Sequence, residues 1–230
     1  MAQAAAELIG DGEAVIVDDG TTCAALAARL AGRPIQALAL SLRAAGELAA
    51  RPGADVVVPG GPVRPVALCF RGAQAVEAVR DFRADVAVLG ACSAAPGLGL
   101  TATEAEDARL KRACLETAAR RILLVSPEKL ERSSVHRFGR IEDVSVLVTG
   151  ATARPRHLEA FRAAGAQVVT VARSSRSRTP RADADPRGRG MRRRFRMPVP
   201  GCSGRRRSPV PAHRLSCRRF GADSPSPGPR

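Results

Sequence analysis

Hydrophobic and polar positions alternate along the first three quarters of the chain in short apolar runs and longer periodic stretches. Apolar runs at 14–17 (AVIV), 35–40, 55–58, 85–89, 122–125, 144–148 and 167–171 are rich in Val, Leu, Ile and Ala. Each has the length of a strand buried on both faces. Between them lie stretches with helical spacing: 4–9, 23–30, 42–50, 72–82, 104–120 and 155–164. In 72–82, Ala75, Val76, Val79 and Phe82 share one face. Breakers separate the elements, among them Gly10-Asp11-Gly12, Arg51-Pro52-Gly53 and Pro59-Gly60-Gly61. Thr21 or Thr22 is expected to cap the helix at 23–30, and Ser41 the helix at 42–50. Residues 90–103 read as a glycine- and threonine-rich loop, and those before Gly139 as a polar connection. Strands alternating with helices predict an α/β fold, a mostly parallel sheet flanked by helices on both faces. Its ligand edge lies at the carboxyl ends of the strands.

From Ser174 the pattern is lost, and Arg, Pro, Ser and Gly dominate. This changes how the formal charge of +15 is read. The segment 174–230 holds 16 arginines and three acids, a net of +13, which leaves +2 for 1–173. Such a segment buries too little apolar surface to offset its ordering entropy, so a disordered basic tail is expected. A nucleic-acid-binding arm, a solvated tail without function and a frame-shifted end all fit this composition. The last is preferred, because a GC-rich coding sequence read out of frame yields such residues. The domain division is therefore 1–173 and 174–230.

The six cysteines (Cys23, Cys69, Cys92, Cys114, Cys202, Cys217) form no C-x-x-C pair, and the three histidines stand apart. Reduced thiols in a cytoplasmic protein are expected, with no metal and no cofactor. No run reaches membrane-spanning length, and the start lacks a basic signal segment. No membrane partner is expected.

Candidate chemistry gathers at predicted strand ends. The first strand leads into Asp18-Asp19-Gly20-Thr21-Thr22, a small hydroxyl-rich loop opening a helix, which suits an anion. The same set of residues serves equally as a turn and cap. Ser41, Gly60-Gly61 with Arg64, Gly90-Ala91 and Gly99-Leu100-Thr101 follow at later strand ends, as does the stretch around Lys129. The chain uses 35 Arg but only two Lys, Lys111 and Lys129, both near this edge. A compact ammonium suits a sugar hydroxyl or phosphate.

The order and spacing of these pieces over about 4–171 resemble the effector-binding domain of DeoR-type transcriptional regulators. The family's Asp-x-Gly-Thr-Thr is matched by Asp18 to Thr22, its Gly-Gly by Gly60-Gly61 with Arg64, and its Gly-Ala by Gly90-Ala91. Its Gly-Leu-Thr is matched by Gly99-Leu100-Thr101, and the helix that follows by Asp107-Ala108-Arg109-Leu110-Lys111. The resemblance implies a fold like that of ribose-phosphate isomerases and a sensor of phosphorylated sugars that relieves repression of sugar-catabolic genes. It implies no enzyme and a homo-oligomer. The implied effector-binding residues are Asp18, Gly20, Thr21, Thr22, Ser41, Gly60, Gly61, Arg64, Gly90, Thr101, Lys111 and Lys129. The chain departs from the pattern at Ala39-Leu40-Ser41, at Ala91-Cys92-Ser93-Ala94 and at Ser126-Pro127-Glu128-Lys129. The family's winged helix-turn-helix has no counterpart ahead of Asp11, so specific DNA binding by this polypeptide is not expected. The alternative is an aldose–ketose isomerase using Asp18, Asp19, Glu104 or Asp107 as the base.

Overall fold

The apolar runs become strands because their residues bury alternately on two faces. In the computed structural model, which describes residues 1–172, β1 (Ala14–Val17) puts Val15 and Val17 on one face and Ile16 on the other, all fully buried. Both the pleat and the burial are repeated in β2 (Gln36–Ala39), with Ala37 and Ala39 opposite Leu38. The strand β3 (Asp55–Val57) closes one edge of the sheet and is half-exposed. After it come two short antiparallel pieces, β4 (Val63–Arg64) and β5 (Cys69–Phe70), and then β6 (Val86–Gly90). The remainder comprises β7 (Ser93–Ala95), β8 (Gly99–Ala102), β9 (Arg120–Leu124), β10 (His136–Gly139), β11 (Val146–Gly150) and β12 (Gln167–Val171).

Seven strands form one sheet in the order β12-β11-β9-β6-β1-β2-β3, every neighbouring pair parallel. The helices are α1 (Ala2–Ala6), α2 (Thr21–Leu30), α3 (Leu42–Leu48), α4 (Ala73–Asp81), α5 (Ala105–Thr117) and α6 (Pro155–Ala163). One face of the sheet packs against α1, α2 and α3 through Ala5, Leu26, Leu30, Ala44 and Leu48. The other packs against α4, α5 and α6 through Val79, Leu110, Cys114, Leu158 and Phe161. Each fully buried large side chain contributes about 1.5–3 kcal/mol over exposure. This is the expected α/β architecture.

Local expectations were corrected in several places. The stretch 90–103 is not a loop: it folds into β7 and β8, which join β10 in a three-stranded antiparallel sheet. Leu100 and Phe138 of that sheet sit in the core, which offsets the loss of helix cover there. The connection before Gly139 holds a 3-10 helix, Pro127–Glu131, as well as β10. The long helix ends at Thr117, and Arg120 already belongs to β9. Ser41 does cap α3, its Oγ accepting from the Ala44 N–H at 3.2 Å. Thr21 and Thr22 do not cap α2: the N-cap is Gly20, whose φ of 94° suits only glycine, and no side chain caps the helix. The cysteines 23, 69, 92 and 114 are free thiols. The basic-tail expectation lies outside the described residues.

Candidate functional site

In a parallel sheet, ligands bind where the chain reverses its direction of travel across the strands, because the connecting helices diverge there and leave a crevice. Here the chain runs outward from β1 through β2 to β3, returns to β6 on the opposite side of β1, and continues to β12. The crevice therefore opens at the carboxyl ends of β1 and β6. Those ends carry Asp18, Asp19 and Gly90.

Asp18 is fully buried, and its Oδ2 accepts from the Gly90 N–H at 2.9 Å, joining the two strand ends. Lys111 enters from α5 and donates from Nζ to the same oxygen. The same ammonium lies 3.3 Å from Asp19 Oδ1 and 3.5 Å from Asp107 Oδ1. Asp107 and Lys111 are four residues apart on α5 and so share a face. Arg71, just past β5, closes the cluster: its guanidinium lies 3.2 Å from Asp19 and 3.3 Å from Asp107. Three carboxylates thus share two cations, and nearly all of it is shielded from water.

The sharing sets the protonation. Burial pushes the Asp18 carboxyl up to about 7, against the pull of Lys111, while Asp19 and Asp107 add repulsion. Burial also works against ionised Asp19, but Lys111 and Arg71 outweigh it and bring that carboxyl down to about 2. Burial disfavours the charged Lys111, yet Asp18, Asp107 and Asp19 together hold it well above the usual lysine value. The excess negative charge is relieved at Asp18. Burial raises the thiols of Cys23 and Cys114 far above the ordinary range, so neither is a nucleophile.

Above the cluster lies a cavity of about 280 Å³, the size for a small polar metabolite. Gly20, Thr22 and Cys23 wall one side, Gly90, Ala91, Cys92 and Lys129 another. Arg64, Ala67 and Arg71 come from the β4–β5 hairpin, Thr103, Glu104, Asp107 and Lys111 from α5 and its approach. Of the residues expected at the site, Gly20, Thr22, Arg64, Gly90, Lys111 and Lys129 line this cavity. Asp18 lies beneath it, holding Lys111. The other five are elsewhere. Thr21 is exposed on α2, and Ser41 is occupied as the α3 cap. Gly60 and Gly61 form the turn before β4, against Gln74. Thr101 points into the small sheet, accepting from the Ser134 N–H at 2.9 Å and donating to the Ser93 carbonyl at 3.3 Å.

Arg71 was the residue most completely missed, because it follows a two-residue strand with no periodicity to mark it. Its buried position beside two acids is the signal that finds it, and that signal is tertiary. Asp18, Asp19 and Asp107 also lie close enough together to offer ligands to a metal ion. The Lys111 ammonium reaches all three carboxylates, while Asp18 Oδ1 and Asp107 Oδ1 are buried without a hydrogen-bond partner.

The fold and the site define a parallel α/β ligand-binding domain with its polar cavity at the switch point of the sheet. Residues 1–151 match the DeoR C terminal sensor domain, and the chain belongs to that family. It is 32% identical over 151 residues to the transcriptional repressor AccR of Agrobacterium fabrum, covering 65% of this chain and 58% of that protein. It is 30% identical over 151 residues to the glycerol-3-phosphate regulon repressor of Haemophilus influenzae, covering 65% and 59%. The chain thus spans about three fifths of the length of these curated relatives. The family is one of transcriptional regulators, and an effector-sensing regulatory role follows for this domain.

Among solved structures, ribose 5-phosphate isomerase A of Methanocaldococcus jannaschii shares 18% identity over 56% of this chain and 51% of that one, with a TM-score of 0.40. The eIF2B beta subunit of Chaetomium thermophilum shares 14% over 64% and 46%, with a TM-score of 0.42. At these values the likeness bears on neither ligand nor chemistry. Among the described residues, no helix is long and apolar enough to cross a membrane.

Proposed function

We propose that this domain binds a phosphorylated sugar, or a related phosphorylated metabolite, and reports it to a transcriptional repressor of sugar-catabolic genes. The observation that carries this reading is that one cavity brings together two kinds of polar lining. The uncapped N-terminus of α2, Lys129 and Arg64 present backbone N–H groups and positive charge, which suit a phosphate. Asp19, Arg71, Asp107 and Lys111 offer fixed acceptors and donors, which suit sugar hydroxyls. The relatives' names, a glycerol-3-phosphate regulon repressor among them, agree with that class.

The isomerase alternative needs a carboxylate free to take a proton from carbon. Asp19 and Asp107 are both clamped by cations, and Asp18 does not line the cavity. We therefore assign no chemical step to this site. Repression, a cytoplasmic setting, self-association and any contact with DNA are parts of the same proposal and belong to the whole regulator. None of them is assigned to a surface here.

Thermal unfolding of the full chain against phosphorylated sugars, each paired with its unphosphorylated parent, tests the reading. At a hundred times its dissociation constant, a ligand adds about 2.7 kcal/mol of stability. We expect one phosphorylated compound to stabilise and its parent not to, with the effect lost in Lys129→Ala. A flat panel from a well-folded chain overturns the proposal. Turnover of the stabilising compound, followed by proton NMR, would restore the isomerase.

A further inference from the structure

Every arginine and lysine lining the cavity already has a partner, and the partners differ in how firmly they hold. Lys111 and Arg71 are engaged by Asp18, Asp19 and Asp107, and their side chains are only 3% and 9% exposed. Among the described residues, Lys129 donates only to the Ala91 carbonyl, at 2.9 Å. Arg64 is paired with Glu104, and here both side chains are open to water, at 46% and 38%. Among the cations of the lining, Arg64, Arg71 and Lys111 are each held by a carboxylate. An arriving anion that engages any of these three must displace an acidic partner, so an internal pair must give way.

Exposure decides which one. Removing a partner from the buried cluster strands a charge away from water, which is strongly unfavourable. The Arg64–Glu104 pair is screened by solvent on both sides, and either member can be rehydrated at little expense. Its position matters too. Arg64 lies on β4 of the hairpin, and Glu104 is the N-cap of α5, so the pair joins two elements that wall the cavity. The Glu104 carbonyl accepts the first α5 bond from the Ala108 N–H at 3.0 Å, tying this pair to the helix that carries Asp107 and Lys111.

We propose that Glu104 is a specificity-determining residue, an internal competitor whose carboxylate holds Arg64 until the anionic group of a ligand replaces it. The proposal rests on the reading of the cavity as a site for a phosphorylated ligand, and it adds a function to a residue that would otherwise count against anion binding. Only a ligand bearing a charged group can exchange with Glu104. A neutral sugar leaves Arg64 and Glu104 paired. The carboxylate thereby sets a charge threshold for binding, and the exchange frees the hairpin from the start of α5.

The test uses the full chain and inorganic phosphate as the probe, followed by isothermal titration at neutral pH. Glu104→Gln should bind phosphate about fivefold more tightly than the unaltered chain, the gain from removing an exposed competitor. Arg64→Ala should weaken binding, and adding Glu104→Gln to it should give no further gain, because there is no longer a pair to release. Glu106→Gln, two residues on in the first turn of the same helix and outside this cavity, should leave phosphate binding unchanged. Unchanged melting temperatures for these exposed positions would show that the fold is intact. Equal affinity in Glu104→Gln and the unaltered chain, absence of binding in both included, overturns the proposal. So does a gain that persists without Arg64 or appears equally with Glu106→Gln, since either would be a general field effect. A phosphorylated sugar that stabilises the unaltered chain while Glu104→Gln gives no gain sinks the exchange and leaves the effector reading standing.

Discussion

Asp18 and Lys111, 93 residues apart in sequence, meet in an ion pair shielded from solvent at the carboxyl end of β1. The Lys111 ammonium is the group that reaches all three carboxylates of the cluster. Replacing it with methionine keeps the apolar stem but leaves a buried acid cluster with Arg71 alone. We expect Lys111→Met to lower stability by about 3–5 kcal/mol in urea unfolding of the full chain. Adding Asp18→Asn should recover most of the loss. A double variant as unstable as the single one would show that packing, not charge, holds this point of the fold.

The proton on Asp18 has a thermodynamic consequence with a definite sign. Its carboxyl titrates near 7 in the native state and near 3.8 when unfolded, so the native state binds the proton more tightly. Stability from this group is greatest below pH 3.8 and falls as pH rises toward 7, by at most about 1.4 kcal/mol per unit, then levels off. Asp19 acts in the opposite sense, but only as pH falls below about 3.8 toward 2. Comparing the unaltered chain with Asp18→Asn in urea at pH 5.5 and pH 8 isolates the effect. The unaltered chain should lose stability across this interval relative to the variant; a constant difference would refute the assignment.

Arg71 is expected to control the ionisation of Asp19. With the guanidinium removed in Arg71→Met, Lys111 and the Cys69 thiol are left to oppose the burial of that carboxyl, and its midpoint should rise from about 2. Carbon-13 detection of the Asp19 carboxyl during an acid titration reads this directly. No movement would mean that Lys111 and Cys69 account for the low value without Arg71.

Thr101 and Gly99 belong to a motif that reads as ligand-binding in the sequence, yet both serve the small antiparallel sheet. Thr101→Val strands the Ser134 N–H, at about 1–3 kcal/mol. In Gly99→Ala the new Cβ would lie 2.6 Å from the Gly139 carbonyl oxygen at a φ of 84°, and strain of that kind costs about 1–3 kcal/mol on its own. Denaturant midpoints should fall in both. For Thr101→Val, the affinity for any phosphorylated ligand should stay within twofold of the unaltered chain. A large affinity loss with unchanged stability would return Thr101 to the site.

The order of strands and helices, and the edge on which the loops gather, were legible in the sequence. Apolar runs of strand length report burial on two faces, and the glycine, serine and threonine signals between them report turns. Both are local properties. The same signals also serve local structure: Ser41, Gly60, Gly61 and Thr101 lie off the cavity lining, where caps, turns and hydrogen bonds use them. Nothing local marks Arg71, and nothing local predicts that 99–102 pairs with 93–95 on one side and 136–139 on the other instead of forming a loop.

The amino-acid sequence by itself determined a parallel α/β domain with its polar loops at one edge, since period and composition act over a few residues at a time. Only the tertiary structure decided which charges meet. The parallel pairing of β1 with β6 brings Asp18 beside Gly90, and the placement of α5 and the β5 end brings Lys111, Asp107 and Arg71 to Asp19. Coulomb interaction and desolvation depend on distance and depth in space, which sequence separation does not encode.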